Sequence, residues 1–345
     1  MNKLMVGLLM GGTSSERGVS LATGKELFAN INRNRFDVTC VEWNADNSWT
    51  EYSVNSLSAV KTAHKNALEL FRGLKPDIVF IALHGANGED GRLQGFLDIL
   101  GIPYTGSGVL GSALGMNKLL CKQIFRAAGV ATPEHLVCGG QNPAAAEEVD
   151  LKIRETIGYP CVVKPNASGS SIGVTKVHNA MELPGALARA LKEDEYILIE
   201  EYIKGIEVSV AVMGEHDSSE KLVLPIVEIV PANEFFDYES KYTDGKSREL
   251  VPARISKEVE KRLGEQAVKV HDALMCNGYS RIDFLIKDDV LYALETNTLP
   301  GMTNNSLYPK MARAIGMTFP QLIDKLIDLG LARFPKKVKT GNPTA

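Results

Sequence analysis

Residues 280–297 read SRIDFLIKDDVLYALETN. Two extended, apolar-rich runs flank Lys287-Asp288-Asp289, which is the pattern of a β-hairpin. Strand side chains alternate between faces with a period of two. The even positions Ile282, Phe284, Ile286, Val290, Tyr292 and Leu294 are apolar, whereas the odd positions include Arg281, Asp283, Glu295 and Asn297. One face is therefore expected in a core, with a cation and three oxygen-bearing side chains on the other. Setting even residues against even residues requires an odd-length turn, most simply residues 287–289. The polar face has two readings. Two carboxylates and an amide are hard donors that suit Mg²⁺ together with substrate phosphates, but a solvated amphipathic hairpin with an ordinary ion pair looks the same. The next loop favours a site, because Pro300-Gly301 and Asn304-Asn305 leave backbone N–H groups to hold anions.

Working back from the hairpin, a long helix is expected over 256–276, after a polar, aromatic stretch at 233–248 and strands at 207–213 and 221–230. Further upstream lies a unit with helical runs at 113–128 and 144–157, strands at 160–164, 172–177 and 196–202, and a helix at 181–191. Its first strand ends in Lys164, followed by the small-residue loop Asn166-Ala167-Ser168-Gly169-Ser170-Ser171-Ile172-Gly173. Inward N–H groups of such a loop can cradle phosphate, with the lysine as a point charge, although most Gly/Ser loops merely turn. Lys118 is either a second phosphate contact or a solvated helix lysine. The strand Ile197–Ile203 finishes in Glu200-Glu201-Tyr202, either an adenine-binding edge with Glu207 near the ribose or an acidic sheet edge.

The first hundred residues alternate strands (4–10, 37–42, 77–83) with helices (19–30, 63–73, 93–100), implying a parallel sheet covered on both faces. Gly-rich loops at 11–16 and 84–91 follow two of these strands, where α/β sheets form their ligand crevice, so Glu16 and His84 are expected to face one cleft. Downstream of the hairpin, helices are expected near 307–315 and 320–331.

The chain has 345 residues, 44% hydrophobic and 23% charged, with Lys plus Arg at 38 against Asp plus Glu at 42. These values fit a globular protein of two or three domains and argue against disorder, nucleic-acid binding or a polybasic membrane binder. Five scattered cysteines without a CxxC argue against a zinc site or disulfide framework and for a reduced, cytoplasmic chain. The apolar run at 4–10 is expected to be a buried strand rather than a signal segment, and no stretch approaches the roughly 20 apolar residues of a membrane span.

Two nucleotide motifs fail on context. Gly106-Ser107-Gly108-Val109-Leu110-Gly111 matches GxGxxG but lacks a full preceding strand and the acid that should follow about 20 residues on. Gly245-Lys246-Ser247 resembles a P-loop ending, but Ser240 stands where its first glycine should be.

Taken together, these segments resemble the ATP-grasp carboxylate–amine ligases, most closely the D-alanine–D-alanine ligases. The matching text runs in family order over about residues 3–333. It comprises Gly11-Gly12-Thr13-Ser14-Ser15-Glu16-Arg17, Leu83-His84-Gly85 with Gly88-Glu89-Asp90-Gly91, Pro103–Gly108, Met116-Asn117-Lys118 and Gly169-Ser170-Ser171. It continues with Asp237–Tyr242, Arg281-Ile282-Asp283, Glu295-Thr296-Asn297 and Pro300-Gly301-Met302-Thr303. The resemblance implies an α/β and α+β architecture, the three-domain ATP-grasp fold. A parallel-sheet domain would span 1–105, a central subdomain 106–201, and a C-terminal subdomain with metal site and lid loop 202–345.

The resemblance further implies joining of two D-alanines through an acyl phosphate, for peptidoglycan. A same-fold ligase with D-serine or D-lactate as second substrate is the alternative. Magnesium or manganese, as two ions, would be held by Asp283, Glu295 and Asn297. ATP would be held by Lys118, Lys164, Ser171, Glu200, Glu201, Tyr202, Ile203 and Glu207. Glu16 would take the first substrate's ammonium and hydrogen-bond with Ser170 and Tyr242, the last belonging with Lys241 to the lid. Arg281 and the Gly301 N–H would stabilise the oxyanion, and Ser306 with the Leu307 N–H would take the second carboxylate. His84 would orient rather than act as a base. Relatives making D-alanyl-D-lactate replace the tyrosine at 242, so Tyr242 favours an amine acceptor. Family members are often dimers, so a homodimer is expected.

Overall fold

A computed structural model describes residues 3–140, 146–231 and 247–334. The first sheet is built from β1 (Leu4–Gly11), β2 (Phe36–Trp43), β3 (Trp49–Tyr52), β4 (Val60–His64) and β5 (Ile78–Ile81), with α1 (Arg17–Asn30), α2 (Ala67–Leu74) and α3 (Arg92–Leu100) between or after them. Its order is β4-β3-β2-β1-β5. Parallel pairing holds for β2-β1-β5, as the apolar strands predict, but β3 and β4 extend the sheet antiparallel. The helix expected over 63–73 therefore starts later. Ala63 and His64 belong to β4, where Lys61 and His64 both pair with the Glu51 carboxylate of β3, at 2.7 and 2.9 Å. Asn66 then caps α2, its Oδ1 accepting from Glu69 N at 3.0 Å.

Next come α4 (Val109–Met116) and α5 (Lys118–Ala127), in place of the single helix expected over 113–128. Asn117 ends one and caps the other, its side chain accepting from Leu120 N at 3.0 Å. The glycines just before and in α4 serve close packing. A Cβ at Gly106 would lie 2.7 Å from Leu299 Cδ2, and one at Gly111 would lie 2.6 Å from Met275 O. The second sheet, ordered β6-β9-β7-β8, comprises β6 (His135–Gly139), β7 (Cys161–Pro165), β8 (Thr175–Val177) and β9 (Tyr196–Glu201). Its helices α6 (Ala146–Thr156) and α7 (Leu183–Ala190) share a core with its inner face, around Ile153, Val163, Ala186 and Ile199.

The third sheet runs β13-β12-β10-β14-β15, with β11 on β10. It consists of β10 (Ile206–Met213), β11 (Leu222–Val223), β12 (Val227–Pro231), β13 (Ser247–Leu250), β14 (Tyr279–Lys287) and β15 (Val290–Asn297). The helix α8 (Lys257–Ala273) packs on it through Leu263, Ala267 and Val270. Finally, α9 (Leu307–Ala314) and α10 (Phe319–Arg333) return to the first sheet, where Leu322, Ile323, Leu326 and Ile327 join the core of Val6 and Phe80.

The hairpin corrects the parity argument. Lys287 pairs with Val290, so the turn is the two residues Asp288 and Asp289, both left-handed (φ 48° and 64°). That geometry is the primed turn that suits a twisted hairpin. Near the turn even residues therefore oppose odd ones, as in Phe284↔Ala293 and Ile286↔Leu291. The register shifts past Phe284, giving Asp283↔Glu295 and Arg281↔Asn297. Leu294 is the extra residue of a β-bulge. The polar quartet shares a face as expected, but the core residues of β15 are Leu291 and Ala293, while Leu285 and Leu294 line a cleft instead.

Candidate functional site

That cleft, about 430 Å³, lies between the second and third sheets. Lys118, Lys164, Ser171, Glu200, Glu201, Tyr202, Ile203 and Glu207, the eight residues expected at the nucleotide, all line it, together with Glu295. Val162, Val174, Ile203, Ile229, Leu285 and Leu294 make its apolar lining, a surface suited to a flat base. Tyr202 carries the Lys176 ammonium 3.8 Å above its ring. The Glu201 carboxylate accepts from Glu134 N at 2.9 Å.

The polar end of the cleft is a lysine–carboxylate array. Lys118 Nζ donates to the Ser168 carbonyl at 2.6 Å and pairs with Glu295 at 3.2 Å. Burial works against its charge, but Glu295 prevails and holds its pKa above the ordinary lysine value. Glu200 Oε1 meets two ammonium groups, Lys122 at 2.7 Å and Lys164 at 2.8 Å. Burial opposes the Glu200 charge, yet the two lysines outweigh it and hold its pKa below the usual range. Lys122 was not singled out in the sequence. Its signal was the i, i+4 spacing from Lys118, which puts both ammonium groups on one face of α5. The loop between Lys164 and β8 holds Ser170 and Ser171 left-handed (φ 51° and 57°), the conformation from which successive N–H groups form an anion nest.

On the hairpin, Arg281 grips Asp283 through Nε and Nη2, each at 2.8 Å, Ser209 Oγ donates to it at 2.6 Å, and Asn297 Nδ2 at 3.0 Å. Among the described residues no three His, Cys, Asp or Glu side chains gather as a metal cluster. Asp283 and Glu295 are cross-strand partners, with the Asn297 amide beside Asp283 and Lys118 beside Glu295. Two carboxylates and one amide fit a hard cation whose remaining ligands are phosphate and water.

Loops of the first sheet meet the small-residue loop beside this cleft. Glu16, 8% exposed, accepts a short hydrogen bond from Ser170 Oγ. Two glycines crowd it. A Cβ at either Gly85 or Gly169 would lie 2.6 Å from Glu16 Oε2. His84 Nε2 lies 3.0 Å from Thr23 Oγ1. Burial presses its pKa down to about 4 despite a hydrogen bond with the Leu299 backbone, so the imidazole is neutral and held from two sides. Glu89, which sequence reasoning quoted without a role, accepts from Gly85 N at 2.7 Å. Burial and then the neighbouring Glu16 push its pKa up to about 8. Ser306 Oγ lies 2.7 Å from Thr303 Oγ1 and accepts from Thr303 N at 3.1 Å. Leu307 opens α9, whose N-terminus favours a carboxylate. A Cβ at Gly301 would lie 3.0 Å from Ser306 Oγ, placing the Gly301 backbone against that serine. Lys241 and Tyr242 lie outside the described residues, as does most of 233–248.

The chain is similar to known proteins in sequence and in fold. The family model described as D-ala D-ala ligase N-terminus matches residues 5–107, and that described as D-ala D-ala ligase C-terminus matches residues 124–328. The D-alanine–D-alanine ligase of Syntrophobacter fumaroxidans is 41% identical over 331 residues, 95% of this chain and 98% of the relative. That of Halalkalibacterium halodurans is 41% identical over 332 residues, 96% of this chain and 100% of the relative. The crystal structure of D-alanine–D-alanine ligase from Bacillus anthracis complexed with ATP has TM-score 0.77 and 33% identity, covering 96% of this chain and 98% of that one. The VanG D-Ala:D-Ser ligase from Enterococcus faecalis has TM-score 0.78 and 34% identity, covering 95% and 100%.

Proposed function

The chain belongs to the D-alanine–D-alanine ligase family, and from that premise we propose how its residues carry out the reaction. It is an ATP-dependent carboxylate–amine ligase that joins two D-alanines to D-alanyl-D-alanine, a peptidoglycan precursor. The observation that carries the residue assignment is one continuous polar line. Glu16 meets Ser170, and the carbonyl of nearby Ser168 meets Lys118. Lys118 in turn meets Glu295, which faces Asp283 across the hairpin. Amino-acid site, phosphate loop and acidic hairpin thus adjoin.

A carboxylate is a poor electrophile, so activation comes first. Glu16 binds the ammonium of the first D-alanine. Its carboxylate oxygen attacks the terminal phosphorus of ATP, ADP leaves, and an acyl phosphate remains. Phosphoryl transfer is largely positioning and charge neutralisation, the tasks of Lys118, Lys164 and the N–H groups around Ser171. Glu200, Glu207 and the backbone of residues 201–203 take adenine and ribose. Asp283, Glu295 and Asn297 would hold two Mg²⁺ or Mn²⁺ ions, which neutralise phosphate oxygens when bound. The amine of the second D-alanine, its carboxylate on Ser306 and the Leu307 N–H, attacks the acyl carbon. Arg281 and the Gly301 N–H stabilise the oxyanion as phosphate departs. Neutral His84 orients, and excluding water is the role that the resemblance implies for Tyr242 and Lys241.

Division at 105/106 and 201/202, cytoplasmic location and a homodimer complete the proposal. Among the described residues no helix is long and apolar enough to cross a membrane. The similarity to the VanG D-Ala:D-Ser ligase supports D-serine as a second acceptor to test. The decisive experiment is product mass analysis after incubation with ATP, Mg²⁺ and a panel of amino acids. D-alanyl-D-alanine with phosphate released only when D-alanine is present is expected, and a D-alanyl-D-serine product would move the assignment to the second acceptor. Equal turnover with L-alanine overturns it.

A further inference from the structure

Lys122 is a fully buried ammonium with no place in the mechanism above. Its side chain is 0% exposed. It meets Glu200 Oε1 at 2.7 Å and Thr132 Oγ1 at 2.9 Å, and Thr132 in turn donates to the Ala293 carbonyl of β15 at 2.8 Å. Lys122 therefore ties the second sheet, through Glu200 of β9, to the hairpin of the third beneath the nucleotide cleft. The same Glu200 oxygen also holds Lys164, at 2.8 Å.

Lys164 cannot serve two anions equally. When its ammonium turns to a phosphate, Glu200 loses one of its two cations inside a cleft where an unpaired carboxylate is costly. The charged and titratable groups acting on Glu200 are Lys122 of α5 and Lys164 of β7, with Lys118 of α5 and His135 of β6 farther off. Lys118 is already engaged by Glu295. His135 is depressed in pKa by burial and cannot take over the charge. Burial lowers the Lys122 pKa to about 8 against the pull of Glu200, and the nearby Lys164 charge lowers it further; once Lys164 turns away that repulsion goes, and Lys122 is the cation that stays.

We propose that Lys122 is a positioning residue for the nucleotide: it keeps Glu200 ionised and in place on the adenine side, which frees Lys164 for phosphate. This rests on the assignment of the cleft to ATP. Without Lys122, Glu200 would have to take up a proton from solvent each time Lys164 departs. Nucleotide binding would then become proton-linked.

The test is calorimetric titration of ADP with Mg²⁺ at pH 7.5, in two buffers of different ionisation enthalpy. It compares wild type, Lys122→Met, Lys122→Arg, Glu200→Gln and the double variant Lys122→Met/Glu200→Gln, with steady-state KM values alongside. Lys122→Met is expected to bind ADP on the order of tenfold more weakly, with KM for ATP rising in parallel and KM for D-alanine within about twofold. It should also take up close to one more proton per ADP than wild type. Lys122→Arg should keep the wild-type proton count. With Gln at position 200, adding Lys122→Met should cost little further affinity and produce no extra proton uptake, and this pair decides the matter even if Lys122→Met alone does not fold. Unchanged ADP affinity, or weakening without proton uptake and with an equal rise in KM for D-alanine, overturns the role. So does a further large loss in the double variant. Wild type that releases no phosphate from ATP with D-alanine present overturns instead the reading on which the role rests.

Discussion

Glu89 and His84 titrate in opposite senses, and stability should register both. In the unfolded chain Glu89 ionises near its ordinary value of 4.5, and in the fold not until about 8. Between those values the native state binds more protons, so this group's contribution is full below 4.5 and is lost as pH rises through 8. His84 works the other way. Its folded value of about 4 lies below the ordinary 6.5, so its contribution is present above 6.5 and lost as pH falls towards 4. Glu89→Gln should therefore raise the melting temperature more at pH 9 than at pH 5. Thermal melts at the two values check this, and a gain independent of pH would contradict it. Ser170→Ala removes the hydroxyl that holds Glu16. It should lower kcat/KM for D-alanine by roughly ten- to a hundredfold, with ADP affinity within about twofold, read from kinetics and titration. Lys164 and Glu200, closing apolar strands, each have a bland reading in sequence, and it is their company, the small-residue loop and the acidic hairpin, that points to a site. Lys122 and the environment of Glu89 were not legible there. A buried charge looks like any other charge until the elements around it are assembled.

At the scale of elements the hairpin is the instructive case. Period-two reasoning put Arg281, Asp283, Glu295 and Asn297 on one face, as the structure does, but through a three-residue turn that is absent. The error was hidden because both faces near the tip are apolar, one packed in the core and one lining the cleft. Parity cannot distinguish them. The turn itself offers a test. Asp288 is exposed and left-handed, whereas Asp289 is held by Arg262 through both its side chain (2.6 Å) and its carbonyl (2.7 Å). Asp288→Gly should stabilise the protein by up to about 1 kcal/mol. Asp289→Gly forfeits the arginine contact and should gain less. Denaturant unfolding of the two variants compares them. The break between α4 and α5 was likewise invisible to periodicity, because Asn117 is a cap only if the chain turns there.

Across the whole molecule, α10 is the unexpected tie. It begins at Phe319, well after the hairpin ends at Asn297, yet completes the core of the first sheet. Leu322, Ile323, Leu326 and Ile327 are at most 1% exposed. Four such side chains at roughly 1.5–3 kcal/mol each approach a domain's net stability of about 5–15 kcal/mol. Truncation after Gly316 should therefore abolish cooperative unfolding and near-UV circular dichroism. A truncated chain with a sharp melt would show that the first sheet closes its core without it. Apolar runs and Gly-rich loops revealed the alternating first sheet and the order of the three sheets along the chain. The antiparallel β3 and β4 could not be read there, because β4 is a short, exposed edge whose last residues, Ala63 and His64, read in sequence as the start of a helix.

The extra residue on β15 places two consecutive side chains, Leu294 and Glu295, on the same side of the sheet. An unbroken strand could offer only one of them to the cleft. A single kink thus lets grease and charge arrive side by side, one for a base and one for the phosphate end. Shortening β15 by Leu294 would leave the acids facing each other but strip the cleft of part of its oily wall. Such a change should separate how tightly the nucleotide is gripped from how well its tail is handled, two properties that substitutions elsewhere in the cleft would tend to alter together.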